Sequence, residues 1–158
     1  MSSANERLAF RDSGIPWLGK IPTHWRVAAL KHLVSVPITD GPHETPEFVD
    51  SGIPFVSAEA VWDGRVHLEA ARGYISHDAH DQYSKKYRPE KNDIYVVKSG
   101  ATTGKVAIVD IEDEFSIWSP LAAVRCDKEQ ALPRFVFHSL VCEYFQGQVR
   151  TAWSLGTQ

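Results

Sequence analysis

Cysteine is scarce in this chain: Cys126 and Cys142 are the only two among 158 residues. Two thiols make neither a disulfide framework nor a metal cluster. Both are expected as buried free thiols in a reducing compartment. Long apolar runs are missing as well. No segment approaches the ~18 residues of a membrane span, and the best candidate, Val27 to Val36, is cut by Lys31 and His32. The first residues, Ser2, Ser3, Asn5, Glu6 and Arg7, lack the basic-then-apolar order of a secretory signal, so a cytoplasmic location is expected. The third absence is an excess of positive charge. The net charge of −3 argues against a non-specific nucleic-acid binder, whose affinity rests on a large positive field.

What is present is ordinary for a globular protein: 43% hydrophobic and 23% charged residues. A chain of this length makes one domain and buries roughly 70% of its unfolded surface. Charge is unevenly placed. From Asp40 to Asp81, Glu44, Glu47, Asp50, Glu59, Asp63 and Glu69 face only Arg65 and Arg72. From Lys85 to Lys105 the balance reverses, with Lys85, Lys86, Arg88, Lys91, Lys98 and Lys105 against Glu90 and Asp93. A local basic face is therefore permitted, and a solvated surface explains the same residues.

Residues 1–13 are polar and expected to be loose. Gly14 to Trp25 holds two prolines and two glycines, which forbid a regular element there, so its Trp17 and Trp25 are expected to anchor an irregular segment across the body. Val27 to Val36 reads as a strand or a short helix. Thr39 to Pro46 is turn chemistry. Ile53 to Ser57 reads as a strand that Pro54 confines to an edge or a first position. Asp63-Gly64 marks a tight turn. Ser76 caps a helix running to about Tyr87, with Lys85 and Lys86 at its negative pole. Ile94 to Val97 and Val106 to Val109 are buried strands around a polar, glycine-bounded loop. Phe115 to Arg125 is a strand interrupted by Pro120. Pro133 opens a helix whose apolar stripe, Phe137, Leu140, Val141, Tyr144 and Phe145, belongs to the core.

The loop from Lys98 to Lys105 resembles a nucleotide cradle and fails as one. Three residues separate Gly100 from Gly104 where the motif needs four, Val106 stands where a hydroxyl must reach magnesium, and a strand follows instead of a helix. Asp40, Glu59, Asp93 and Lys98 are too scattered for a nuclease. His77 and His80 share a helical face, but two ligands do not close a zinc site. Ser99, Ser116 and Ser119 sit in no nucleophile elbow, and no S-adenosylmethionine motif is present. The chain reads as non-catalytic, with no metal and no cofactor. Recognition remains. Polar loops on a β-framework suit phosphate contacts and base edges alike. His43, Glu44 and Thr45 are the candidate base readers, since Glu can accept from cytosine N4 but cannot help to hold phosphate. Lys98, Ser99, Thr102, Thr103 and Lys105 are candidates for phosphate, with Lys85, Lys86 and Arg88 behind them and Trp118 structural.

Several stretches taken together resemble the target recognition domain of a type I restriction-modification specificity subunit, in family order. They are Ile15 to Trp25, Asp40 to Pro46, Gly52 to Ser57, Lys98 to Ala107, Phe115 to Trp118 and Gly156 to Gln158. The resemblance implies a non-enzymatic subunit that reads one half of a bipartite site on double-stranded DNA. It also implies docking of adenine methyltransferase modification subunits and, through them, the restriction subunit, with no membrane partner. Residues 14–158 would form one such domain, the first, with the spacer helix and second recognition domain absent. The fold expected is α/β (α+β): a curved, mostly antiparallel sheet with two principal helices, from about Ser76 and Pro133. The Gly-Ala-Thr-Thr-Gly-Lys loop recurs in family members that read unrelated targets, so it is expected to place the readers rather than to read. The alternative is a module or decoy that binds modification or restriction subunits without reading DNA itself.

Overall fold

The computed structural model describes residues 9–156, with side chains to residue 152. The expected class holds: strands dominate, most pairs are antiparallel, and three helices accompany them. The strands are β1 (Phe10–Asp12), β2 (Lys20–Pro22), β3 (Thr39–Asp40), β4 (Ile53–Val56), β5 (Val61–Trp62), β6 (Arg65–Val66), β7 (Gly73–Ile75), β8 (Ile94–Val97), β9 (Val106–Ile108), β10 (Ser116–Ile117) and β11 (Leu121–Val124). The helices are α1 (His77–Ser84), α2 (Pro133–Val141) and α3 (Glu143–Gly156). Instead of one sheet there are two, plus a ribbon. Six strands run in the order β3, β11, β8, β9, β6, β5; three run β10, β4, β7; and β1 pairs with β2.

Side-chain alternation explains the layering. In β8 and β9, Ile94, Val106 and Ile108 face α2, where Val136 and Leu140 meet them. Their neighbours Tyr95, Val97, Ala107 and Val109 turn the other way and pack on Val56 and Ile117 of the three-stranded sheet. Both faces of these strands are buried, so their sequences are continuous apolar runs rather than alternating ones. Each fully buried aliphatic side chain contributes roughly 1.5–3 kcal/mol. The outer face of the three-stranded sheet, Ile53, Phe55 and Ile75, is covered by Ala79 and Tyr83 of α1. The order of layers is α2, large sheet, small sheet, α1.

Local chemistry sets the element ends. Ser76 Oγ accepts from Ala79 N at 3.2 Å and caps α1 as expected. Asp63 and Gly64 both take positive φ, 47° and 84°, and turn the β5–β6 hairpin. Below the large sheet Asp93, almost fully buried, accepts from both Nε and Nη2 of Arg125 at 2.8 Å and from the Tyr87 hydroxyl at 2.5 Å. Burial first, and then the neighbouring Tyr95 and Asp93, push the Tyr87 hydroxyl far above its usual range, so it stays a donor.

Several expectations are corrected. The segment from Phe10 to Asp12 is a strand paired with Lys20–Pro22, not a loose end. Gly14 to Trp25 therefore does contain a regular element: Gly14, Pro16 and Gly19 lie in the connecting loop and Pro22 at the strand end, where they do not interrupt pairing. Residues 1–8 lie outside the described residues. Trp17 and Trp25 are half exposed; the segment is held by buried Ile21 and by the edge of Trp25 against Phe135. Val27 to Val36 forms a 3₁₀ turn at Leu30–His32 and a single bridge from Val34 to Cys126. β4 is the central strand of its sheet in spite of Pro54. Pro54 is tolerated because β10 pairs only with Phe55 and Val56, while the carbonyl of Tyr74, opposite Pro54, turns away to accept from Val49 N. Phe115 to Arg125 is two strands in different sheets, divided at Trp118–Pro120. The second helix breaks at Cys142, whose φ and ψ are −64° and 153°. Gln146 Nε2 takes up the freed carbonyl of Leu140 at 2.8 Å. That break turns Val141, Cys142 and Tyr144 outward, so neither the whole stripe nor both thiols are buried; Cys126 is, and Cys142 is not.

Candidate nucleic-acid interface

Four segments converge at one end of the two sheets. Gly41 and Pro42, leaving β3, lie against the loop after β10: Ser119 N donates to Pro42 O at 3.2 Å. A Cβ on Gly41 would stand 1.9 Å from Ile117 O, so only glycine fits there. Lys98, leaving β8, donates its backbone N–H to Pro120 O at 2.8 Å. The end of α1 completes the set through Lys86.

Asp40 is the hub. Its Oδ1 accepts from Lys86 Nζ at 2.7 Å, its Oδ2 accepts from Lys98 Nζ, and His43 Nε2 stands 3.0 Å from Oδ2. The Asp40 side chain is 18% exposed, while both ammonium groups reach solvent. Hydrogen bonds from Lys86 and Lys98 hold the Asp40 carboxyl far below the usual carboxylate range. Two ammonium groups against one carboxylate leave one net positive charge at a solvated rim. Glu44 lies close enough to α1 to raise the Tyr83 phenol, an effect second to the partial burial of that ring. Glu44 and Thr45 are exposed.

Beside this cluster Arg72 lies over Trp118, its Cζ 4.8 Å from the ring, with Phe55 6.0 Å from the same ring. Arg72 Nη1 donates to Glu59 Oε1 at 3.2 Å. Trp118 Nε1 is buried and has no partner among the described residues, a desolvated donor that costs stability. Trp118 is expected from the sequence to be structural, and Arg72 is not among the expected site residues. The only sequence signal for Arg72 was that it is one of two cations in an acidic stretch.

The second half of the loop from Lys98 to Lys105 is bonded back onto the first. Thr103 N donates to Gly100 O, Gly104 N to Val97 O and Lys105 N to Thr102 O, and Thr103 Oγ1 bonds Gly100 O at 2.7 Å. The backbone N–H groups of Ser99, Gly100, Ala101 and Thr102 have no partner among the described residues, so the loop keeps free donors at its tip. Its far side is tied to α3, where Gln146 Nε2 donates to Gly104 O at 2.8 Å. Ser99 is exposed, Thr102 and Thr103 are partly covered, and Lys105 is exposed with no side-chain partner among the described residues. Lys85 is likewise exposed beside Lys86.

The structure thus brings His43, Lys86 and Lys98 onto one carboxylate and leaves Arg88 out. Arg88 pairs with Glu114 and gives its carbonyl to Arg125 at 2.7 Å, at the end of β8 opposite Lys98. Among the described residues no group of His, Cys, Asp and Glu is arranged to hold a metal ion, and no helix is long and apolar enough to cross a membrane. The chain matches no protein-family model and no curated protein.

Proposed function

We propose that this chain reads the sequence of double-stranded DNA. In that role it is a target recognition domain that reads one half of a bipartite site within a type I restriction-modification specificity subunit. The observation that carries the reading is the convergence of Lys86, Lys98 and His43 on Asp40, with Arg72 held on Trp118 alongside. Cations supported on rigid strand ends suit phosphates and base edges, and the chain's net negative charge keeps the remaining surface off non-specific DNA. In this reading Lys86, Lys98 and Lys105 meet phosphate, with Lys85, Ser99, Thr102 and Thr103 around them, while His43, Glu44 and Thr45 face bases. Its partners are adenine methyltransferase modification subunits and, through them, the restriction subunit. The chain performs no catalysis, and it works in the cytoplasm.

A second reading, a module that binds those subunits without reading DNA, draws on a different observation. Trp25, Phe135 and Leu132 expose apolar surface where Trp25 meets α2. Lys98→Ala with Lys105→Ala separates the two. In the DNA reading, affinity falls for every duplex and the slope of log K against log salt flattens by about 1.8, at about 0.9 per phosphate. Unchanged affinity and slope would remove the loop from the DNA interface.

A further inference from the structure

We infer that Arg72 is a specificity-determining residue that reads guanine in the major groove, with Trp118 as its platform; this rests on the DNA-reading function proposed above. The Arg72 side chain is 49% exposed, which leaves it able to reach a ligand. It is nevertheless held at two places, by Glu59 Oε1 on Nη1 and by the indole ring, whose centroid is 4.8 Å from Cζ. The Nε–Nη2 edge has no protein partner among the described residues. That edge is a planar, two-donor fork, the shape that meets the O6 and N7 acceptors of guanine side by side. A phosphate could be held by any flexible cation. A fork held at two points suits a base edge.

Trp118 supports the assignment through a cost. Its Nε1 is buried without a partner, a penalty that phenylalanine in the same place would avoid. What the indole adds over phenylalanine is the larger π face, the strongest aromatic partner for a cation. The position is also right. Trp118 precedes Ser119 and Pro120, which bond to the segments of His43 and Lys98, and its backbone N–H reaches Val56 O at 2.8 Å. Arg72 N donates to Phe55 O at 2.9 Å, one residue along the same strand. The fork's platform is therefore part of the same backbone junction that carries the cations expected to track phosphates, as a base reader's must be.

The test starts from duplexes with a randomised window, selected by the wild-type chain and by Arg72→Ala and Arg72→Lys. Arg72 is at the surface, and thermal melting checks that both variants fold. Both are expected to lose the preference for one G·C pair while keeping the rest of the motif. Arg72→Lys also keeps the wild-type salt slope. In the selected duplex, 7-deazaguanine at that position is expected to weaken the wild type about tenfold, within the range of one good base contact, and to leave Arg72→Ala unaffected. An unchanged motif, or an equal loss on all duplexes, overturns the role of Arg72 and leaves the DNA reading standing. No motif for the wild type removes both.

Discussion

Asp40→Asn is the sharpest perturbation of the site, because it keeps the shape of the hub and removes its charge. In the folded chain Lys86 and Lys98 share one carboxylate. A phosphate bound on the far side of Lys86 Nζ would lie about 6 Å from Asp40, adding a hydrogen-bond length to the 2.7 Å of the existing pair. The repulsion is about 0.7 kcal/mol with water-like screening and about 2.8 kcal/mol at an effective dielectric of about 20. Asp40→Asn should therefore bind duplex DNA more tightly at low salt, by a factor between about threefold and about a hundredfold. Freeing one positive charge steepens the salt dependence by about 0.9, so the advantage shrinks about 3.5-fold between about 50 and 200 mM salt. The loss of stability is small, since exposed-end ion pairs are worth about 0.2–1 kcal/mol each. Fluorescence anisotropy with a labelled duplex across salt concentrations reads both numbers. Equal or weaker binding with an unchanged slope would refute the reasoning, because Asp40 would then not be competing with phosphate for the two lysines.

Further perturbations test the scaffold. His67 stacks on Trp62 at 3.4 Å between ring centroids and bonds Asp63 through Nε2 at 2.9 Å and Glu69 through Nδ1 at 3.0 Å. The Asp63 bond first, with Glu69 adding to it, raises its pKa. Its stabilisation is then full below the unfolded value of about 6.5 and is lost as pH rises through the higher folded value. An NMR titration of the His67 imidazole should show the raised midpoint, and His67→Gln should abolish that pH dependence in denaturant melts. Asp93→Ala leaves Arg125 without its buried partner and should cost about 3–5 kcal/mol in urea unfolding; a loss under about 1 kcal/mol would mean that the network does not hold the strand. Gly41→Ala puts a methyl group against Ile117 O, so DNA affinity should fall along with the melting temperature. Ser76→Ala should cost about 1 kcal/mol through the lost cap, with DNA binding unchanged.

What was legible in the sequence was local. The β8–β9 hairpin, the Asp63-Gly64 turn, the Ser76 cap and Pro133 at the head of α2 were all read from neighbouring residues, because each follows from backbone preference or short-range periodicity. The central place of β4 was not legible. A proline marks a missing donor, but which side of the strand lacks a partner depends on how short β10 is. The break at Cys142 was hidden because the carbonyl it frees is satisfied by Gln146, whose role exists only once α3 has folded back. The hub at Asp40 and the Arg72–Trp118 pair join segments that are 46 or 58 residues apart. No periodicity links such positions. The lysines could be named from charge alone, whereas the carboxylate that restrains them could not.

If this face reads duplex sequence, the duplexes that the chain retains from a randomised pool carry its motif, and sequencing them shows it. The selection is run at low salt, alone and with adenine methyltransferase modification subunits added. A short recurrent motif of a few base pairs is the predicted result; a retained pool as random as the input under both conditions would contradict it.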